Sequence, residues 1–142
     1  MKIAIASDHR GVDLKSELIG FLRQHEVVDL GTNSKESCDY PDYALKVAKA
    51  VASGEAERGI LICSTGVGMS IAANKVNGIR AALCFDENVA KQSREHIDSN
   101  ILVLGADLIS PEKAKSITSM WLSTEFSNEE RHARRIKKMN RA

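Results

Sequence analysis

The chain has 142 residues, of which 20 are Lys or Arg and 19 are Asp or Glu, so its formal net charge is +1. This length predicts one domain of ordinary size over residues 1–142, and the balanced charge gives no reason to expect a nucleic acid as a partner. No apolar run approaches the roughly 20 residues that a membrane span needs, and the apolar start is too short for a secretory signal. We therefore expect a cytoplasmic protein with no membrane partner.

Five short apolar runs alternate with segments of helical period along the chain. The runs, which we expect to be strands, cover residues 2–6, 27–30, 59–62, 79–83 and 101–104. Alternation of this kind predicts βαβ units, in which helices cover both faces of a parallel sheet. The expected fold is α/β: a single-domain three-layer α/β/α sandwich with a five-stranded parallel Rossmann-like sheet.

Apolar residues at helical spacing predict a helix between the first two strands and a second helix that starts at Pro41 and stops before Gly54. Further helices are expected over residues 68–76, from 86 or 88 to about 94, and from Ser110-Pro111, where a capping serine precedes a first-turn proline. The charged segment 128–141 has helical period but few apolar anchors. We expect the C-terminal helices, within residues 111–142, to lie on the surface or against a second subunit.

The loop after the third strand, Cys63-Ser64-Thr65-Gly66-Val67-Gly68, is the most informative segment. Its two glycines allow backbone N–H groups to approach an anion without an intervening Cβ, and the next helix adds the positive end of its dipole. Such surroundings favour the thiolate of Cys63, which can then act as a base or a nucleophile. A cysteine after four apolar residues can equally be a packed core residue, as free cysteines usually are.

The sequence offers no pattern for a metal or an organic cofactor. Its three cysteines, Cys38, Cys63 and Cys84, are widely spaced and lack a CxxC pair, so we expect neither a disulfide framework nor a zinc site. The glycine spacing of a dinucleotide-binding loop is incomplete, because Ile71 stands where the third glycine belongs, and Lys75 lacks the neighbours of a Walker A lysine. We interpret Cys38 and Cys84 as structural.

Two histidines stand close to predicted strand ends, where ligands bind in open α/β sheets. His9 follows the first strand beside Asp8, and this pair can bind hydroxyls or a phosphate, or Asp8 can simply cap the next helix. His96 can be a general acid or can complement the dipole at a helix C-terminus. Spacing alone leaves these alternatives open.

Two arginines in the C-terminal segment, Arg131 and Arg135, have the i,i+4 spacing that places them on one helix face. Two guanidinium groups so placed can hold one phosphate, although a solvated basic helix end is the more common outcome. The cluster is short and has no interleaved aromatic residues, so it does not indicate a nucleic-acid interface.

Six segments along nearly the whole chain form a more specific pattern. They are Asp8-His9-Arg10-Gly11, Asp39-Tyr40-Pro41, residues 59–68, Ala72-Ala73-Asn74-Lys75, Gly78-Ile79-Arg80-Ala81 and Asn100-Ile101-Leu102. In this order they resemble the type B ribose-5-phosphate isomerases, relatives of the galactose-6-phosphate isomerase subunits. The resemblance implies reversible isomerisation of D-ribose 5-phosphate and D-ribulose 5-phosphate through an enediolate, a step of the non-oxidative pentose phosphate pathway, without metal or organic cofactor.

The resemblance also implies a role for each candidate residue. Cys63 would be the base that moves a proton between C1 and C2, and His96, helped by Asp8 and Thr65, would open the furanose ring. The backbone N–H groups that would stabilise the enediolate oxygen belong to Ser64, Thr65, Gly66, Val67 and Gly68. The remaining substrate and phosphate contacts would come from His9, Tyr40, Arg131 and Arg135.

Members of this family are dimers, or dimers of dimers, with active sites shared between subunits. The resemblance therefore implies a homodimer or a tetramer in which His96 serves the Cys63 of the neighbouring subunit.

The sequence departs from the family pattern at two positions. Ile97 stands where the family has an amide that contacts substrate, and Asp107 stands where it has a phosphate-facing arginine. Arg10, at a position where a small residue is common, is a candidate for the missing cation. Two alternatives stay open: an isomerase of six-carbon sugar phosphates, such as allose or galactose 6-phosphate, or a weakened phosphosugar-binding protein, whose only support is these departures.

Overall fold

A five-stranded parallel sheet forms the centre of the protein, whose computed structural model describes residues 1–142. The strands are β1 Lys2–Ser7, β2 Glu26–Asp29, β3 Arg58–Cys63, β4 Ala81–Leu83 and β5 Ile101–Gly105. Each neighbouring pair is parallel, and the order across the sheet is β2-β1-β3-β5-β4. The predicted five-stranded parallel sheet is confirmed.

Six helices connect and follow the strands, as the sequence pattern predicts. They are α1 Val12–Phe21, α2 Tyr40–Ala52, α3 Val67–Ala73, α4 Glu87–Ile97, α5 Pro111–Ser123 and α6 Glu130–Asn140. None of these helices is long and apolar enough to cross a membrane.

Three boundaries differ from the prediction because side chains pair with the backbone there. Helix α3 ends at Ala73 because the Asn74 amide pairs with both backbone groups of Ala81, at 2.8 and 3.0 Å. Strand β4 begins at Ala81, since the Arg80 N–H donates to the side chain of Asn100 rather than to a strand carbonyl. Helix α4 reaches Ile97, and Asp98 then ends it in the left-handed conformation with φ 50°.

Two apolar clusters pack against the two faces of the sheet, which gives the three layers expected. Ile60 and Ile62 of β3 point to the face covered by α1, α4 and α5, where the cluster includes Trp121. Leu61 and Cys63 point to the opposite face, which is covered by α2 and α3. The alternation along β3 therefore places the Cys63 side chain on the same face as the helix that follows its loop.

The parallel strands give the sheet two chemically different edges. The carboxyl edge consists of the loops that follow Ser7, Cys63 and Gly105, at the ends of β1, β3 and β5. The amino edge lies at the opposite ends of the strands, where α4 and α5 finish and α6 begins. Hydrogen bonds from Arg94 Nε to the Thr124 carbonyl (3.0 Å) and from the Ser127 N–H to the Glu95 carbonyl (3.2 Å) hold the start of α6 beside the end of α4.

Candidate active site

Cys63 is the last residue of β3, and this residue is 5% exposed where the loop to α3 begins. The N–H of Gly66 turns back and donates to Cys63 Sγ at 3.1 Å. Gly66 adopts a left-handed conformation with φ 84°, which a residue with a side chain rarely does. This hydrogen bond fixes the sulfur among the backbone N–H groups of the loop, a placement that suits Cys63 to act as a base.

The loop after β5 holds the Cys63 loop in place. The N–H groups of Ala106 and Asp107 donate to the carbonyls of Cys63 and Ser64 at 2.8 and 3.0 Å. A Cβ at Gly105 would lie 2.7 Å from the carbonyl oxygen of Thr65, so the two loops touch backbone to backbone. Backbone donors fixed in this way can stabilise a developing oxyanion without first reorganising. The Thr65 side chain is exposed above them, where its hydroxyl accepts from the Val67 N–H at 3.3 Å.

Asp8 and His9 occupy the loop after β1 at the same edge. One carboxylate oxygen of buried Asp8 accepts from the N–H groups of Arg10 and Gly11 at 2.9 and 3.2 Å, so Asp8 holds the turn into α1. The Nδ1 of His9 accepts from the Cys38 N–H at 3.3 Å, and the Cys38 sulfur lies 3.7 Å away. Because Nδ1 is an acceptor, a neutral His9 carries its proton on Nε2 and can donate it to a substrate oxygen.

Tyr40 is the first residue of α2, and its ring lies against the first turn of α3. A Cβ at Gly68 would overlap the Tyr40 ring and would lie 2.9 Å from its hydroxyl oxygen. A side chain at position 68 would therefore force the Tyr40 ring to move. Tyr40 remains exposed on its other side and lines the carboxyl edge beside the Cys63 loop.

The other predicted residues lie at the amino edge. His96, near the end of α4, is exposed and stacks on His132 of α6, with ring centroids 4.4 Å apart and an interplanar angle of 13°. Arg131 pairs with Glu129 at 2.8 Å, whereas exposed Arg135 forms no ion pair within the chain.

The predicted site residues thus fall into two groups that one chain does not bring together. Helix α4 starts at the carboxyl edge after β4 and carries His96 about 14 Å along its axis toward the amino edge. Cys63 stays at the carboxyl edge, where β3 ends. A site that uses both groups needs a second copy of the chain.

The carboxylate of Asp107, which stands where the family has an arginine, forms an ion pair within the chain. Its Oδ2 lies 2.7 Å from Nη2 of Arg10, so the candidate cation is already paired with this carboxylate. The sequence analysis named Arg10 as a candidate cation in connection with Asp107, although the two residues are 97 positions apart.

Sequence reasoning missed a buried lysine beneath the same edge. Lys15 of α1 is 2% exposed and donates to Asp29 Oδ1, to the Thr32 carbonyl and to Asn33 Oδ1 at 2.7, 2.6 and 2.8 Å. It ties the loop after β2 to α1. The available signal was its position one residue after Leu14 and three before Leu18, on the apolar face of the helix.

The three cysteines are free and differ in their surroundings. Burial raises the pKa of Cys84 to about 11, with a smaller opposing effect from a hydrogen bond with Ser93. Cys84 therefore stays a protonated thiol in neutral solution, in keeping with a structural role. Cys38, the other cysteine interpreted as structural, contacts His9 at the carboxyl edge.

The donor set favours acid-base chemistry. No group of three or more His, Cys, Asp or Glu side chains is placed to hold a metal ion. The carboxyl edge instead presents a thiol, backbone N–H groups and an imidazole, while the amino edge adds a second imidazole and two arginines. These groups can move a proton, stabilise an oxyanion and bind a phosphate.

Comparison with known proteins agrees with this chemistry. A family model described as Ribose/Galactose Isomerase matches residues 3–139. Ribose-5-phosphate isomerase B of Escherichia coli (strain K12) is 49% identical over 95% of this chain and 91% of its own length. The structure of Clostridium thermocellum ribose-5-phosphate isomerase B superposes with a TM-score of 0.97 at 54% identity, covering 99% of this chain and 96% of that one.

A further relative carries a different activity name. D-erythrulose-4-phosphate isomerase of Pectobacterium atrosepticum is 43% identical over 89% of this chain and 85% of its own length. All these matches extend over most of the chain. The chain therefore belongs to the ribose/galactose isomerase family.

Proposed function

We propose that this chain catalyses the reversible isomerisation of D-ribose 5-phosphate and D-ribulose 5-phosphate through an enediolate. The observation that carries this proposal is the Cys63 thiol at the end of β3, which accepts the Gly66 N–H at 3.1 Å. In the same loop the Val67 N–H donates to Thr65 Oγ1, whereas the N–H groups of Ser64 and Thr65 make no backbone bond. An aldose-ketose isomerisation needs a base beside C1 and C2 and donors for the oxygen that becomes negative. Residues 63–68 supply both, and the ribose-5-phosphate isomerase names of two close relatives support the substrate.

In the proposed reaction, the Cys63 thiolate takes the proton from C2 of the open-chain aldehyde. Negative charge moves to the oxygen on C1, where the loop N–H groups stabilise it, and a proton passes from the C2 hydroxyl to that oxygen. The Cys63 thiol then returns its proton to C1, which completes the ketose. Atoms and charge balance without a redox partner, so the steps require no metal or organic cofactor.

We further propose that the complete site forms between two copies of the chain. His96, Arg131 and Arg135 of one subunit would meet the Cys63 loop, Asp8, His9 and Tyr40 of the other. Exposed apolar residues around the carboxyl edge support such an association; they are Tyr40, Val67, Ile71, Phe85 and Leu108. In this arrangement α5 and α6 belong to the subunit interface of one isomerase domain, residues 1–142. A cytoplasmic location fits its three free cysteines.

Solvent isotope exchange tests the reaction type. Ribose 5-phosphate incubated with the protein in D₂O should yield ribulose 5-phosphate with deuterium at C1, because the enediolate exchanges its proton with solvent through Cys63. Mass spectrometry of the product measures the incorporation. A product without deuterium would mean that the hydrogen passes from C2 to C1 without exchange. The enediolate proposal is then contradicted if Cys63→Ala, which lacks the base, isomerises at the wild-type rate.

A substrate panel and a chelator test the remaining parts. Among four-, five- and six-carbon aldose phosphates, ribose 5-phosphate should have the highest kcat/KM. Exhaustive EDTA treatment should leave the kcat/KM for ribose 5-phosphate unchanged. A higher kcat/KM for allose or galactose 6-phosphate would move the assignment to six-carbon substrates. Binding without turnover of any of them would identify a weakened phosphosugar-binding protein.

A further inference from the structure

His132 of α6 is a buried histidine whose ring lies nearly parallel to that of His96. The centroids are 4.4 Å apart, and the planes differ by 13°. His132 is 6% exposed, whereas His96 lies at the surface. No well-formed hydrogen bond satisfies His132 Nε2, whose nearest carboxylate oxygen, Glu129 Oε2, is 3.4 Å away. One face of the exposed His96 ring is thus covered by a second imidazole.

Hydrogen bonds between the end of α4 and the segment that leads into α6 hold the two rings together. The Ser127 N–H donates to the Glu95 carbonyl at 3.2 Å, next to His96 in the chain. The buried guanidinium of Arg94 donates to the Thr124 carbonyl at 3.0 Å and to Asp98 Oδ1 at 2.8 Å. These bonds fix the connection between α5 and α6 against the last turn of α4, so the two rings are held at stacking distance.

His132 is held neutral in this position. Burial is the main cause that lowers its pKa, and the positive charges of His96 on α4 and of Arg131 and Arg135 on α6 lower it further, against a smaller opposing effect of Glu129. In neutral solution His132 therefore presents a flat, uncharged face to His96.

We propose that His132 is a positioning residue, whose stacked ring fixes the plane of the His96 imidazole so that its free edge meets the ring oxygen of a cyclic sugar phosphate. This role rests on the proposed function, in which His96 opens the furanose. An exposed histidine otherwise rotates about two torsions, and a misoriented acid-base group loses most of its rate advantage.

The chemistry of the two substrates separates ring opening from isomerisation. Ribose 5-phosphate is mainly a furanose, whereas ribulose 5-phosphate cannot close a five-membered ring because its O5 carries the phosphate. An enzyme unable to open rings consumes only aldehyde that forms spontaneously. Its forward rate then stops rising as enzyme is added, while its reverse rate from the open ketose stays proportional to enzyme concentration.

Three variants apply this test to the full-length protein. His132→Phe keeps a flat neutral ring, and its forward rate should stay proportional to enzyme concentration, as in the wild type. His132→Leu removes the flat face, and its forward rate should level off while its reverse kcat stays within about twofold of the wild type. His96→Phe is the reference for lost ring opening, and its forward rate should level off as well.

The outcomes separate the positioning role of His132 from the proposed role of His96 in ring opening. A forward rate of His132→Leu that rises with enzyme concentration as in the wild type, while that of His96→Phe levels off, overturns the positioning role and leaves the proposed function intact. A forward rate of His132→Phe that levels off as enzyme is added also overturns the positioning role, because a flat neutral ring at position 132 would then not be sufficient for ring opening. A forward rate of His96→Phe that stays proportional refutes instead the role of His96 in ring opening.

An NMR titration covers the case in which His132→Leu fails to fold. The His132 ring signal, identified by its absence in His132→Phe, should titrate at higher pH in His96→Phe than in the wild type, because a neighbouring positive charge is gone. An unchanged titration would show that the two rings do not face each other in solution, and the positioning role would be refuted.

Discussion

Arg10 and Asp107 form an ion pair of 2.7 Å that joins the loop after β1 to the loop after β5. In the sheet, β1 and β5 flank β3, so the pair spans the strand that ends in Cys63. With side chains 57% and 46% exposed, the pair contributes about 0 to 1 kcal/mol of stability at most. Its importance is its position beside the Cys63 loop, because the Asp107 N–H also donates to the Ser64 carbonyl at 3.0 Å.

Replacing one member of this pair should impair catalysis, and exchanging both should restore it. Asp107→Arg places two guanidinium groups against each other and should raise KM, and Arg10→Asp should do the same with two carboxylates. The double exchange Arg10→Asp/Asp107→Arg should recover most of kcat/KM. Steady-state kinetics at low and high salt measures the effect, which salt should reduce. A lower KM for Asp107→Arg alone would mean that an arginine at 107 meets the phosphate directly.

Cys63→Ala should abolish isomerisation while the fold remains intact. The substitution removes the proposed base but little volume, and such groups typically supply about 10²- to 10⁴-fold in rate. Circular dichroism and ribose 5-phosphate turnover measure the two properties. Cys84→Ala is the matched control: it should lower stability but not kcat, since Cys84 is a protonated core thiol with a pKa of about 11. Activity of Cys63→Ala within twofold of the wild type would refute its role.

Two inactive variants should complement each other if the sites are shared. In a mixed dimer of Cys63→Ala and His96→Phe, one site carries both defects and the other carries none. Coexpressed chains that associate at random should therefore show about a quarter of the wild-type activity. Each parent alone, assayed with excess enzyme on the furanose, should show far less. Mixed dimers that are no more active than the parents would place both groups in a site within one subunit.

Arg135→Ala should raise KM more than it lowers kcat. The exposed guanidinium has no partner within the chain, so we expect it to bind the substrate phosphate with about 1.5 to 3 kcal/mol of charge-assisted hydrogen bonding. Steady-state kinetics with ribose 5-phosphate measures this change. Arg134→Ala is the matched control, because Arg134 pairs with Glu130 at 2.8 Å and should leave KM unchanged. Equal effects of the two substitutions would indicate a general loss of positive charge.

Lys15→Met should destabilise the protein by about 2 to 4 kcal/mol, because three acceptors lose their shared donor in a buried position. Urea denaturation followed by circular dichroism measures the free energy of unfolding. The control Lys49→Met, at an exposed position of α2, should change the free energy of unfolding by less than about 0.5 kcal/mol. Equal stability of the two variants would mean that the loop after β2 holds its shape without Lys15.

Local signals in the sequence were sufficient for the sheet, the helices and the Cys63 loop. Apolar period identifies strands and helices, and glycine spacing identifies a loop that can approach an anion. The Arg10 and Asp107 pair, the His96 and His132 stack and the coordination of Lys15 could not be predicted in this way. Each joins residues that only the packing of the sheet and helices brings together, so no short-range periodicity reports them.

The close approach of Tyr40 to Gly68 ties two distant positions into a single evolutionary constraint. Gly68 lies in the first turn of a helix, where its backbone could accept any residue, but the Tyr40 ring occupies the space that a methyl group would need. A larger residue at 68 therefore needs either the Tyr40 ring to turn away or the residue at 40 to become smaller. The order in which the two substitutions occur thus decides whether the intermediate protein keeps the Tyr40 ring in its place beside the Cys63 loop. The two positions should therefore show strong epistasis in any library that varies both.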